Sequence, residues 1–131
     1  MVARDGLRIL VVEDDRDTAE TLGLLLNRWG HTAQLATTSR AALDIAEAGS
    51  FIPNVAFIDL AMPEIDGIEL VRRLRGFASW HAVYLVALTG MTQKSVERAA
   101  YEAGCDRYIL KPASPERIRE LLDEIARDRT A

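Results

Sequence analysis

A chain of 131 residues, 49% hydrophobic and 27% charged, suits one domain around one core and excludes a disordered segment. A net charge of −4 lacks the basic footprint of a nucleic-acid binder and disfavours an anionic membrane surface. A single cysteine, Cys105, rules out an internal disulfide, the charged start at residues 1–6 has no signal-peptide core, and no apolar run nears the ~20 residues that span a bilayer, so a cytoplasmic location is expected.

Residues 7–12 read as the first strand, which stops at Glu13-Asp14-Asp15. Ala19, Leu22, Leu25, Leu26 and Trp29 follow at helical spacing, with Gly30 as a C-terminal stop. Residues 32–36 form a weaker strand. Ser39 is expected to cap the next helix, which runs through Ala42, Leu43 and Ala46 to a stop at Gly49. Residues 54–58 are the third strand, ending at Asp59, and a loop with Met62-Pro63 and Asp66-Gly67 leads to a helix through Ile68, Val71 and Leu74. Residues 82–88 are the fourth strand, ending at Thr89-Gly90, and the helix after it covers about 93–103 before Gly104. Residues 107–110 are the fifth, ending at Lys111-Pro112. Ser114-Pro115-Glu116 opens the last helix with a serine N-cap, a proline in the first turn and an acid at the positive dipole end. Ile118, Leu121, Leu122 and Ile125 form its buried stripe.

Strands alternating with helices predict an α/β domain, a doubly wound (βα)5 unit whose parallel sheet is covered on both faces. Strands one, three and four are apolar nearly throughout, as double burial demands. The second and fifth, with Thr32, Gln34 and Arg107, read as edges. That placement fits the order 2-1-3-4-5 of flavodoxin-like three-layer sandwiches. The whole chain, 1–131, reads as a single domain with its core at about 7–127.

In an open parallel sheet, ligands bind beyond the carboxyl ends of the strands. Here those ends carry Glu13-Asp14, Asp59, Thr89 and Lys111, so three carboxylates, a hydroxyl and an ammonium are expected at one rim. Clustered carboxylates repel one another, and a hard divalent cation relieves them. Mg2+ (or Mn2+) would neutralise a transferring phosphoryl group, Asp59 could form an acyl phosphate, and Lys111 and Thr89 could hold the phosphate oxygens. The chain has fourteen arginines and two lysines, Lys94 and Lys111, so lysine stands at the rim of a chain that elsewhere uses arginine.

Val11-Val12-Glu13-Asp14-Asp15, Asp59-Leu60-Ala61-Met62-Pro63 with Asp66-Gly67, Ala87-Leu88-Thr89-Gly90 and Lys111-Pro112 together resemble the receiver domain of two-component response regulators, of the chemotaxis-regulator type. The similarity covers about 7–127. That family is itself a standard example of the strand order given above, so the order leans on the resemblance as well as on the edge pattern. The resemblance implies Asp59 as phospho-acceptor and Asp14 as direct metal ligand, with Glu13 acting through water. It also implies the backbone carbonyl of Ala61 as a further ligand, Thr89 and Lys111 as phosphate binders, Tyr108 as the switch aromatic, and a cis Lys111-Pro112 peptide. It implies a histidine kinase or histidine phosphotransfer protein as donor, and an output protein or homodimer contact through about 93–127. No direct nucleic-acid or membrane binding is expected. Ala61 stands where a polar residue often tunes autodephosphorylation, Glu13 replaces the commoner aspartate, and Gly90 follows the threonine where alanine is frequent.

Two other classes compete with a phospho-acceptor switch, which catalyses only its own phosphotransfer and autodephosphorylation. An Mg2+-dependent aspartyl-phosphate phosphohydrolase of the haloacid dehalogenase type carries a second aspartate two residues after the nucleophile, where this chain has Ala61. A pseudo-receiver would bind partners without phosphate, a reading the complete acid set opposes. The start at Met1 and the end about four residues past the last helix fit a stand-alone receiver, the N-terminal receiver of a longer regulator or a hybrid-kinase receiver. Among residues outside the motifs, Asp15 reads as a helix N-terminal acid, His31 and His81 as surface residues of turns, Trp80 as an exposed loop aromatic, Cys105 as packing, and Arg72-Arg73 as a solvated helix face.

Overall fold

The computed structural model describes residues 6–63 and 65–130. The expectation for the charged first residues, 1–5, lies outside them. In chain order the elements are β1 (Arg8–Val12), α1 (Arg16–Arg28), β2 (Thr32–Ala36), α2 (Ser39–Ala48), β3 (Val55–Ile58), α3 (Gly67–Arg75), a 3-10 turn (Ala78–Trp80), β4 (Tyr84–Thr89), α4 (Lys94–Ala103), β5 (Arg107–Leu110) and α5 (Pro115–Thr130). The five strands form one parallel sheet in the order β2-β1-β3-β4-β5, as expected.

Strand periodicity sorts the core into two layers. Leu10, Val12, Ala56, Ile58, Leu85 and Ala87 face one way and pack with Leu43, Leu70, Leu74 and Ala100 of α2, α3 and α4. Ile9, Val11, Val55, Phe57, Val86 and Leu88 face the other way and meet Leu22 and Leu26 of α1 and the Ile118, Leu121, Leu122 and Ile125 stripe of α5. Double coverage is why the three inner strands carry apolar side chains at both parities.

Three local expectations need correction. Thr38, not Ser39, caps α2: the Thr38 side chain accepts from Ala41 N–H at 2.9 Å. Ser39 is the first helical residue, fully buried, and its hydroxyl donates to the Ile65 carbonyl at 2.7 Å, tying α2 to the β3–α3 loop. Both residues suit a cap, and burial of the second decides between them. Trp80 is 0% exposed rather than a loop aromatic, because the 3-10 turn drives it into the α2–α3–α4 layer. Its Nε1–H has no hydrogen-bond partner. The same turn delays β4, so that Ala82 is an exposed turn residue and the strand starts at Tyr84.

Arg75, at the end of α3, fixes this region. Its guanidinium donates to the carbonyls of Trp80 (2.9 Å), Val83 (2.8 Å) and Gly104 (2.6 Å) and pairs with Asp106 at 3.1 Å. Gly104 lies at φ 130° with Arg75 packed on it, so a side chain there would be strained and crowded. Among the described residues no helix is long and apolar enough to cross a membrane.

Candidate functional site

Register delivers the chemistry to one rim. Val12 pairs with Ile58, Ile58 with Ala87, and Thr89 with Leu110. The next residues out are therefore Glu13, Asp59 and Lys111, beside Thr89 itself. The ladder continues one step beyond the strands: Glu13 N–H donates to Ala36 O at 3.0 Å, Asp59 N–H to Val12 O at 3.0 Å, and Lys111 N–H to Thr89 O at 2.8 Å. Each backbone is held where its side chain projects past the sheet.

Glu13, Asp14 and Asp59 come together, each offering one carboxylate oxygen within 4.8 Å of the others. Glu13 (5% exposed) and Asp59 (7% exposed) are buried, and Asp14 is exposed. Lys111 reaches into the cluster: its Nζ lies 2.6 Å from Glu13 Oε1 and 3.2 Å from Asp59 Oδ2. The remaining oxygens are also engaged. Asp15 N–H donates to Glu13 Oε2 at 3.1 Å, and Ala61 N–H donates to Asp59 Oδ1 at 3.0 Å. Burial alone would lower the Lys111 pKa. The hydrogen bond to Glu13 and the charges of Asp59 and Glu13 outweigh it and hold the ammonium above its ordinary value.

One ammonium among three carboxylates leaves the site short of positive charge. The donor set consists of hard carboxylate oxygens opening to solvent through Asp14, which fits a divalent cation such as Mg2+ and suits neither a soft metal nor an organic cofactor.

Thr89 is fully buried at the end of β4, with its Oγ1 accepting from Met91 N–H at 3.3 Å. Tyr108, one strand further out, is half-buried and donates its hydroxyl to the Met91 carbonyl at 2.8 Å. The threonine and the aromatic thus hold the same short β4–α4 loop from two sides. The Lys111-Pro112 peptide is cis, as the motif implied.

Two features that position the site went unread in the sequence. Gly67 opens α3 directly against the strand end: a Cβ there would lie 2.3 Å from Leu60 Cα and 2.8 Å from Asp59 O. Only glycine lets α3 approach the backbone beside Asp59 so closely. Asp15 is the N-cap of α1, accepting from Thr18 N–H and Thr18 Oγ1, which holds its carboxyl below the ordinary value. Its own N–H bonds Glu13, so the first turn of α1 steadies the acid pair. The Asp-Gly step at the helix start was the available signal for Gly67. No sequence signal announces the Asp15 amide. Asp15 behaves as the helix acid expected of it, and Arg72 and Arg73 lie exposed and paired with Glu69.

This arrangement is the acid-lined rim of a receiver. The response regulator receiver domain model matches residues 9–123, and the chain belongs to that family, a signalling class of two-component systems. It is 33% identical over 116 residues to an uncharacterized 14.6 kDa protein in the sodA1 3′ region of Leptolyngbya boryana, covering 88% of this chain and 87% of that one. It is 36% identical over 120 residues to the response regulator MprA of Mycolicibacterium vanbaalenii, covering 88% of this chain and 50% of that protein, so it spans about half the length of this relative. Among solved structures, the receiver domain of a Pseudomonas aeruginosa sensor histidine kinase, with a magnesium ion coordinated in its active-site cleft, matches with a TM-score of 0.82 at 23% identity over 92% of this chain and 98% of that one. At that identity the likeness speaks for the fold.

Proposed function

We propose that this chain is a single receiver unit whose Asp59 accepts a phosphoryl group from the phosphohistidine of a histidine kinase or histidine phosphotransfer protein. The observation that carries the reading is a buried aspartate grouped with an acid pair and with an ammonium 3.2 Å away. Asp59 forms the new P–O bond as the P–N bond of the donor breaks, and the histidine leaves with its electron pair. Lys111, 3.2 Å from Asp59 Oδ2, stays as the counter-charge for the phosphate once the carboxylate has become an acyl phosphate, a mixed anhydride without the carboxylate's charge. Thr89 Oγ1 accepts from Met91 N–H through one lone pair, which leaves its O–H to donate to a phosphate oxygen. Glu13, Asp14, Asp59 and the Ala61 carbonyl are the groups that would hold Mg2+ or Mn2+, which when bound neutralises charge on the transferring phosphoryl group.

Tyr108 and Thr89 meet at Met91, so a shift of Thr89 toward phosphate alters the loop that opens α4. The response is a population shift read by an output protein or a second copy on the 93–127 face, in the cytoplasm. Leu110 (47% exposed) and Tyr101 (42% exposed) give that face apolar anchors. Beside Lys111, a groove of about 520 Å3 between α1 and α5, with Leu22, Leu25, Leu88, Pro112 and Ile118 in its walls, offers the phosphodonor protein a place to rest.

Incubation with Mg2+ and a small acyl phosphate tests the assignment. The wild type gains acid-labile phosphate and Asp59→Asn does not. Equal incorporation in the variant, or none in the wild type, overturns it. Repeated turnover of a phosphate ester would instead mark a phosphohydrolase.

A further inference from the structure

At the opposite end of the strands from the acid cluster, the seam between α1 and α5 holds a recess of about 310 Å3 walled by Trp29, His31, Arg119, Leu122, Asp123 and Arg127. His31 is half-buried here, not the surface turn residue its neighbours imply. Its Nδ1 accepts the Leu7 N–H at 3.0 Å. The Leu7 carbonyl accepts Thr32 N–H at 2.9 Å, and His31 N–H donates to Leu26 O at 3.0 Å. Pairing of β1 with β2 starts only at Arg8↔Thr32, so the amide of Leu7 has no strand partner. The imidazole takes that role. Leu7 is 5% exposed, which makes an unpartnered amide there costly.

An accepting Nδ1 has its lone pair toward Leu7 and leaves the ring proton on Nε2. Burial holds the imidazole below its ordinary pKa, Asp123 opposes that effect, and Arg119 adds to it. Arg127 brings a second guanidinium to the recess. Arg119 rests 5.3 Å over the Trp29 ring, where the π face takes up part of its charge. Among the described residues lining the recess, the C-terminal end of α1 contributes only the uncharged cap residue Trp29, and Leu7 on the β1 side is also uncharged.

We propose that His31 is a pH-operated fastener: neutral, its Nδ1 ties the start of β1 to the α1–β2 turn, and protonated, its ring releases Leu7 and turns to the Asp123 carboxylate of α5. Protonation sets two donors, Nδ1–H and Leu7 N–H, face to face, so the bond cannot survive it. Asp123 is the carboxylate in the same recess, and it gives the imidazolium a counter-charge between Arg119 and Arg127. Acidification thereby moves one tie from the sheet to the last helix, at the far end of the molecule from the phosphorylation rim.

NMR on the isotope-labelled full chain, without metal and titrated from about pH 8 to about pH 5, tests this. The ring of His31 is expected as the Nε2–H tautomer at the alkaline end. Protection of the Leu7 amide, corrected for intrinsic exchange, should fall about tenfold as His31 protonates, while that of the Asp59 amide stays level. Asp123→Asn should move the His31 midpoint to lower pH, and His31→Gln should leave Leu7 protection independent of pH. An Nδ1–H tautomer in the neutral ring overturns the proposal. So does Leu7 protection that stays level in the wild type, or a His31 midpoint that ignores Asp123→Asn.

Discussion

Replacing Lys111 by methionine removes an ammonium that hydrogen-bonds Glu13 at 2.6 Å and Asp59 at 3.2 Å while keeping much of the side chain's packing. This ammonium contacts carboxylate oxygens that a divalent cation would need, so lysine and metal are expected to compete for them. A charge-assisted hydrogen bond is worth about 1.5–3 kcal/mol when shielded. The Lys111 side chain is 30% exposed, and solvent screening reduces the combined competition to about 1–2 kcal/mol. Lys111→Met should therefore bind Mg2+ about five- to thirtyfold more tightly than the wild type, read by isothermal titration calorimetry. The same variant, left with three unpaired acids, should lose stability without metal and regain it in Mg2+, seen as a larger ligand-induced rise in Tm. Phosphate incorporation should fall despite the tighter metal, because the phosphoryl group has lost its counter-charge. Lys111→Arg restores the charge and should bring Mg2+ affinity back toward the wild type. Unchanged or weaker Mg2+ binding in Lys111→Met would refute competition between the ammonium and a metal for the same oxygens.

Gly67→Ala sets a Cβ 2.3 Å from Leu60 Cα, a backbone atom that cannot swing away. It should cost at least about 1–3 kcal/mol in urea unfolding and slow phosphorylation of Asp59 by displacing its loop. Trp80→Ala should cost about 3–5 kcal/mol, whereas Trp80→Phe should cost less than about 1.5 kcal/mol because the indole N–H it removes has no partner; equal losses would mean the N–H is bonded in solution. Folding lowers the His31 pKa below 6.5, so in the window just under that value the unfolded chain binds the extra proton. The stability His31 contributes is then complete above the window and drains away as pH falls through it. The wild-type-minus-His31→Gln difference in unfolding free energy should shrink as pH falls below 6.5, and a difference independent of pH would contradict the burial of a neutral ring.

The rim was legible because each contributing strand ends in a residue whose chemistry is conspicuous beside an apolar run. Glu13-Asp14, Asp59, Thr89 and Lys111 needed only the strand order to be brought together, and the polar residues of β2 and β5 marked those strands as edges. What escaped notice depends on partners far away in sequence. Trp80 sits between Ser79 and His81, neighbours typical of an exposed turn, and its burial is decided by α3 and by the Arg75 clamp. His31 follows Gly30 in a turn, and its ring is drawn inward by an amide 24 positions away. Arg75 gave no sign at all, because its targets are mostly backbone carbonyls and any residue supplies those. Thr38 and Ser39 could not be ranked as caps, since both have the hydroxyl and only the Ile65 carbonyl distinguishes them.

Arg75 and Lys111 together account for the use of the two cations in a chain that otherwise prefers arginine. Arg75 meets carbonyls from two separate segments, residues 80–83 and Gly104, and one carboxylate, a task that needs several donors in a fixed plane. Nothing in the proposed cycle asks those contacts to open, so a rigid fork at the base of β4 is an advantage. In the proposed cycle Lys111 meets two carboxylates that would each change partners, one on receiving phosphorus and the other on receiving a metal. A fork locked onto both acids would resist that exchange, whereas a single ammonium on a flexible stem can leave an oxygen, follow the charge and settle on a phosphate without moving the strand. The residue that holds the acid cluster together in the resting state is therefore also the one best able to release it.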